Sequence, residues 1–192
     1  PLGGLRVQGP VSDDRSSSTN YHPLPVRHGM TMGELARLYD ARRGIGLGAR
    51  LVVVPVTGWR RGQMAHRTGV PWTHPSPNIR SVRQALLYAG VGLLEGTNLA
   101  VGRGTDSPFQ LVGAPWIADG RPLADAVNAA RIPGVWAVPV AFTPRSSRHR
   151  GKRCRGVRLL LTDPENLRPV QLGVALALAL RRLHGDSWRH AR

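Results

Sequence analysis

Apolar residues in this chain follow two periods, 3.6 and 2, and stretches of each kind take turns along the sequence. That alternation, broken by Gly and Pro, confines the chain to an α/β fold, a mixed sheet with flanking helices. Thr31-Met32-Gly33-Glu34 fits a capping box, with Thr31 at the N-cap and Glu34 reaching back. Leu35, Leu38 and Tyr39 then share one face, which predicts a helix over 31–42 ended by Gly44, Gly46 and Gly48. The β-branched run from Leu51 to Val56 predicts a buried strand. Gly58-Trp59-Arg60-Arg61 follows at the end of that strand, where open α/β sheets bind ligands. Residues 62–80 read as a long Pro-containing loop, and Ser81 caps a helix to about Ala89. A short strand is expected over 113–117 and a helix over 123–130. A strand over 135–142 carries Pro139, which places it at an edge or a bulge. Val157, Leu159 and Leu161 alternate in a strand over 156–162, and Pro169 opens a helix over 169–183. Residues 1–27, rich in Gly, Pro, Ser and Asp, read as an irregular connection, with 13–20 a mobile surface loop. The expected division is therefore 1–27 as connection and 28–192 as an α/β lobe.

Composition narrows the partners. The net charge is +16, and Lys152 is the lone lysine among 27 basic residues. A nucleic-acid binder mixes both cations and clusters them on one face. Here arginine is scattered, with one dense run over 145–158, so nucleic acid is disfavoured and a polyanion stays open as a second partner class. Aromatics make up 5%, so a sugar-stacking platform has to come from Trp59, Trp72, Trp116 or Trp136. Cys154 is the single cysteine; no internal disulfide forms, and its position reads as an inert strand residue. The longest apolar run, Leu172 to Leu180, is half a bilayer span, so no membrane span is expected. Pro1-Leu2-Gly3-Gly4 is neither charged nor apolar enough for a secretion signal, and this abrupt start in turn residues points to an upstream portion.

The chemistry concentrates in one stretch. Glu95-Gly96-Thr97-Asn98 is followed by Gly102-Arg103-Gly104-Thr105, so a carboxylate, hydroxyls, an amide and a guanidinium fall within eleven residues. Glycines beside the arginine allow a sharp turn and close approach to a ligand. Such a loop suits a polyhydroxylated or anionic ligand, and it reads equally as a solvated loop with a capping Asn. Carboxylates are scarce: Glu34 caps a helix, Glu165 sits in a polar turn, and Glu95 alone follows an apolar run. Partial desolvation there favours general-acid chemistry. Glycoside hydrolysis takes two carboxylates; Asp106 is the nearest second candidate and a weak one. There is no P-loop, no Gly-x-Ser-x-Gly elbow and no dinucleotide spacing. His66 and His74 share a loop without a cysteine or carboxylate, so no metal and no cofactor is expected.

Taken in order, the motifs resemble one family. They are Leu2-Gly3-Gly4, Val7-Gln8-Gly9-Pro10, Arg27-His28-Gly29-Met30-Thr31 with Gly33-Glu34-Leu35-Ala36, Gly58-Trp59-Arg60-Arg61 and Ser76-Pro77-Asn78. Glu95-Gly96-Thr97-Asn98, Gly102-Arg103-Gly104-Thr105 with Pro108-Phe109, and Gly113-Ala114-Pro115-Trp116 continue the series. The chain resembles the bacterial exo-β-N-acetylmuramidases, long labelled a domain of unknown function, from Pro1 to about Leu183. The resemblance implies a hydrolase that removes terminal N-acetylmuramic acid from the non-reducing end of peptidoglycan fragments, acting outside the cytoplasmic membrane. It implies two lobes, an N-terminal Rossmann-like one and a C-terminal one, with a site in the cleft between them. This chain corresponds to the later part, without most of the upstream lobe and its presumed catalytic glutamate. Gln8 stands where the family usually has a glutamate, and an amide keeps the shape but loses the proton chemistry. By the same resemblance Arg103 would pair with the lactyl carboxylate. Asn78, Thr97, Asn98 and Thr105 would line the sugar site, His28 would orient a neighbour or touch the sugar, and Glu95 would be the site carboxylate. The chain alone is then expected to be inactive. The alternatives are a different glycosidase or sugar-ester hydrolase, or a non-catalytic glycan- or polyanion-binding module, which the net charge favours.

Overall fold

A computed structural model describes residues 2–11, 23–43 and 50–190. The chain divides into two compact units, Pro1–Gly69 and Val70–Arg192. The 13–20 loop and the Gly44, Gly46 and Gly48 turn lie outside the described residues.

In the first unit, the stretch expected as irregular carries two short strands. β1 (Gln8–Val11) pairs antiparallel with β2 (Pro25–Arg27), and Gln8 stands opposite Arg27. Arg27 Nη2 donates to the carbonyls of Leu2 at 2.6 Å and Gly3 at 3.1 Å. Among the described residues, its Nε and Nη1, and Oε1 of Gln8, are buried without a partner. Burial, then the charge of Arg6, lowers the Arg27 pKa. Helix α1 (Met32–Arg43) starts where the capping box predicts. The Thr31 amide donates to Glu34 Oε2 at 2.8 Å, and the Glu34 amide donates to Thr31 Oγ1 at 3.2 Å. Arg61 closes the same corner: its Nη1 donates to Glu34 Oε2 at 3.0 Å and to the Gly29 carbonyl at 2.9 Å.

The strand expected over Leu51–Val56 does not form. A β-branched run becomes a strand only where a neighbouring edge offers hydrogen bonds, and Pro55 removes a donor. Among the described residues none lies alongside. Val52, Val54 and Val56 are exposed, and only Val53 packs, against α1 at Gly33. The ligand-binding strand end expected at Gly58–Arg61 is therefore absent, and Arg61 serves Glu34 instead.

The second unit holds the core. β3 (Leu111–Ala114), β4 (Val135–Phe142) and β5 (Cys154–Leu161) form an antiparallel sheet in the order β3-β5-β4. β4 is an edge, as Pro139 requires. β3 begins two residues earlier than its pattern predicted. β5 buries Val157 and Leu159 on one face and Cys154 on the other. α2 (Val82–Val91) is capped by Ser81 Oγ, which accepts from the Gln84 amide at 3.3 Å. α3 (Arg121–Ala129) packs on β4 and β5, and α4 (Pro169–His184) packs on α3 and α2. Leu172, Leu176 and Leu180 of α4, with Leu86, Leu87 and Val91 of α2, are fully buried. These two helices touch at Gly90 and Gly173: a Cβ on Gly90 would sit 1.8 Å from the Pro169 carbonyl oxygen. Helices with mixed sheet-and-helix packing make this an α/β fold. Among the described residues no helix is long and apolar enough to cross a membrane.

Candidate functional site

Helix α2 runs out through a 3-10 turn, Gly92–Leu94, and this exit aims Glu95. Leu94 is buried, and its carbonyl accepts from the Thr97 amide at 3.0 Å and Thr97 Oγ1 at 2.7 Å. Residues 99–101 are then pinned to the sheet, where Ala100 and Gly113 exchange both backbone hydrogen bonds, at 2.8 and 3.0 Å. Gly102 and Gly104 both take positive φ, 78° and 77°, which turns the chain back and brings Arg103 onto Glu95. Arg103 Nε donates to Glu95 Oε1 and its Nη2 to Oε2 at 3.1 Å, a two-point fork. The guanidinium carbon stands 5.1 Å from the ring centre of Phe109, which is itself buried against Tyr88. Both side chains of the pair are about two-thirds buried. Hydrogen bonding to Glu95 raises the Arg103 pKa, so this cation is permanent.

The loop between β4 and β5 forms the facing wall. The Arg145 amide donates to the Gly104 carbonyl at 2.8 Å, and the Gly151 amide to the Pro144 carbonyl at 2.8 Å. A Cβ on Gly104 would lie 2.2 Å from the Ser146 carbonyl oxygen, so only glycine admits this loop. Ser147 and His149 adopt left-handed φ of 65° and 60°. A non-glycine residue in that region is held there by its surroundings. Here the holding contacts are the turn bonds of the loop and His149 Nε2, 2.8 Å from the Asn98 carbonyl. That carbonyl can only accept, so Nε2 carries the proton and donates to it.

Between these walls lies a cavity of about 450 Å³. Glu95, Arg103 and the 99–101 segment line one side, and Ser147, Arg148 and His149 the other. A volume of that order suits one sugar-sized ligand. Polar and charged groups line the cavity around an apolar strip of Leu99, Ala100 and Val101.

Of the residues expected at a site, Glu95 and Arg103 come together at the cavity. Glu95, expected as a partly desolvated acid, has a cation on both oxygens. Asn98 is engaged elsewhere: its Nδ2 donates to the Ser187 carbonyl at 2.8 Å, and its Oδ1 accepts from the Arg189 amide at 3.1 Å. Thr97 is buried and bridges to His190. Thr105 Oγ1 donates to the Gly102 carbonyl at 2.6 Å and accepts from the Ser107 amide at 3.1 Å, holding the turn. Asn78 sits in the 76–79 turn, and its amide donates to Ser76 Oγ at 3.4 Å. His28 lies in the first unit, its Nδ1 accepting from the Met30 amide at 3.1 Å. Asp106 is exposed and paired with Arg145 at 2.5 Å. The tryptophans are used in other ways. Trp72 Nε1 donates to the Ile79 carbonyl at 3.2 Å, Trp59 lies under Arg61, Trp116 meets His184 edge-on, and Trp136 is exposed on β4. Cys154 is fully buried, and desolvation pushes its thiol up to about 11.

Ser147, Arg148 and His149 were missed because the basic run around them reads as a connection. The signal that could have found them is Gly104, whose missing side chain marks a close backbone approach.

Comparison with known proteins follows the same stretch of sequence. A family model described as exo-beta-N-acetylmuramidase NamZ, C-terminal, matches residues 86–192, and its N-terminal counterpart matches residues 1–83. The peptidoglycan beta-N-acetylmuramidase NamZ of Bacillus subtilis (strain 168) is 36% identical over 189 residues, covering 98% of this chain and 45% of that protein. Two DUF1343 family proteins of Bacteroides fragilis NCTC 9343 have similar crystal structures. One has a TM-score of 0.88 at 28% identity, over 97% of this chain and 49% of its own. The other has a TM-score of 0.67 at 27% identity, over 97% of this chain and 50% of its own. The chain thus spans about half the length of the proteins it matches.

Proposed function

The chain belongs to the exo-β-N-acetylmuramidase family, and on that premise we propose that its cavity binds the terminal N-acetylmuramic acid of peptidoglycan fragments. In the family, such binding serves hydrolysis at the non-reducing end. The observation that carries this reading is the Glu95–Arg103 pair, held on a cavity wall of hexose size.

Each group has a role that follows from its partners. Glu95 spends both oxygens on Arg103 and so fixes the guanidinium plane. Arg103 keeps Nη1 to donate to a sugar oxygen. His149, its Nε2 spent on the Asn98 carbonyl, has Nδ1 left to meet a sugar hydroxyl. Leu99, Ala100 and Val101 give the ring an apolar strip to lie along. Thr97, Asn98 and Thr105 act as the frame of the turn in this reading, which rests on neither His28 nor Asn78.

Turnover needs more than this wall supplies. A glycosidase of the ordinary kind uses one carboxyl as acid and a second as nucleophile or base. Glu95 is the carboxylate among the lining residues, and Arg103 occupies it. Gln8, where the family resemblance expects a glutamate, carries an amide with no proton to exchange. We therefore assign this chain binding without hydrolysis. The test has two parts. Calorimetric titration of N-acetylmuramic acid should show saturable binding that weakens about tenfold in Arg103→Ala, the loss expected for a charged hydrogen bond. Unchanged affinity removes Arg103 from the site. A chromogenic muramic-acid glycoside should stay intact, and its cleavage by this chain would overturn the assignment of binding alone.

A further inference from the structure

The cavity contains one cation more than its own anions match. Glu95 and Arg103 neutralise each other across a two-point fork. Arg148 lines the same cavity from the opposite loop and, among the described residues, makes no hydrogen bond or ion pair. His149 cannot balance it, since an imidazole never supplies a negative charge. The walls therefore hold one carboxylate against two guanidiniums.

Arg148 is also placed with unusual care for an exposed side chain. The residues on either side of it, Ser147 and His149, take the left-handed φ values that side chains avoid. The Arg150 amide donates to the Ser147 carbonyl at 3.2 Å, and the Lys152 amide to the His149 carbonyl at 2.9 Å. With Gly104 and Asn98 gripping the loop from the other wall, the backbone at Arg148 is fixed while its side chain is exposed. A fixed base under an unmatched guanidinium is the arrangement that recognises a carboxylate by a bidentate fork.

We infer that Arg148 reads the carboxylate of the bound sugar and so makes the cavity selective for acidic over neutral amino sugars. In N-acetylmuramic acid that carboxylate belongs to the lactyl ether, the one group that N-acetylglucosamine lacks. Arg103, expected from sequence to do this, is already matched by Glu95 and contacts the neutral part of the ligand. The inference rests on the cavity being the sugar site.

The experiment is a pair of calorimetric titrations, N-acetylmuramic acid and N-acetylglucosamine, into the wild-type chain, Arg148→Gln and Arg148→Lys. Wild type should prefer the acidic sugar about tenfold. Arg148→Gln should bring the acidic sugar down to the affinity of the neutral one and leave the neutral one within about twofold. Arg148→Lys, which keeps the charge and loses the fork, should recover part of the preference. The side chain is exposed, so unchanged circular dichroism and melting temperature are expected in both variants. A tenfold preference that survives Arg148→Gln overturns the role of Arg148 while leaving the cavity as the sugar site. Equal wild-type affinity for the two sugars does the same. Absence of binding by either sugar overturns the cavity reading and this inference with it.

Discussion

Glu34 and Glu95 show how one residue type is put to different uses by its neighbours. Glu34 closes a capping box and takes a fork from Arg61, and its carboxyl is held down from 4.5 to about 2, chiefly by Arg61 and then by the Thr31 amide. A carboxyl whose folded pKa is depressed contributes stability above its unfolded pKa and loses it as pH falls through the folded value. The melting temperature of the wild type should therefore drop as pH is lowered from 4.5 to 2, and the drop should be shallower in Glu34→Gln. Parallel curves for the two proteins would show that the pair adds nothing. The capping box was legible in sequence because all its parts lie within four residues. The Arg61 partner, 27 residues away, was not. Nor were the bonds of Asn98 to Ser187 and Arg189, about ninety residues on. Local chemistry can be read from spacing; a long-range partner is settled only by the fold.

At the scale of elements, periodicity found those elements that bury one face. β4, β5, α2, α3 and α4 appear within about two residues of their predicted ends, since each has an apolar face to hide. The Leu51–Val56 run failed because composition cannot supply a partner edge, and β1 and β2 were missed because strands of four and three residues carry too short a pattern. Helices α2 and α4 meet at Gly90 and Gly173, and two effects compete there. Helix propensity alone makes Gly90→Ala stabilising by about 1 kcal/mol. The added methyl, however, would meet the Pro169 carbonyl oxygen at 1.8 Å, a backbone atom that cannot swing away. Overpacking of this kind costs about 1–3 kcal/mol or more, so the clash wins. Urea unfolding should place the Gly90→Ala midpoint lower than that of wild type, and a raised midpoint would mean that the helices part without penalty.

At the scale of the whole molecule, the ordered series of motifs identified the family, whereas composition alone left a polyanion binder as a competitor. The net charge of +16 is a property of the surface as a whole. The cavity, by contrast, is a local object with one unmatched guanidinium. A polyanion would engage many scattered arginines, and salt would weaken its binding steeply through counterion release. A single sugar carboxylate engages one. The two ideas therefore predict different footprints on the protein. The most direct test is backbone-amide chemical-shift mapping of the labelled chain during titration with N-acetylmuramic acid. Saturable shifts should gather at residues 95–103 and 147–149 and be missing from the first unit. Shifts spread over the arginine-rich surface, or none at those two segments at saturating sugar, would contradict the account.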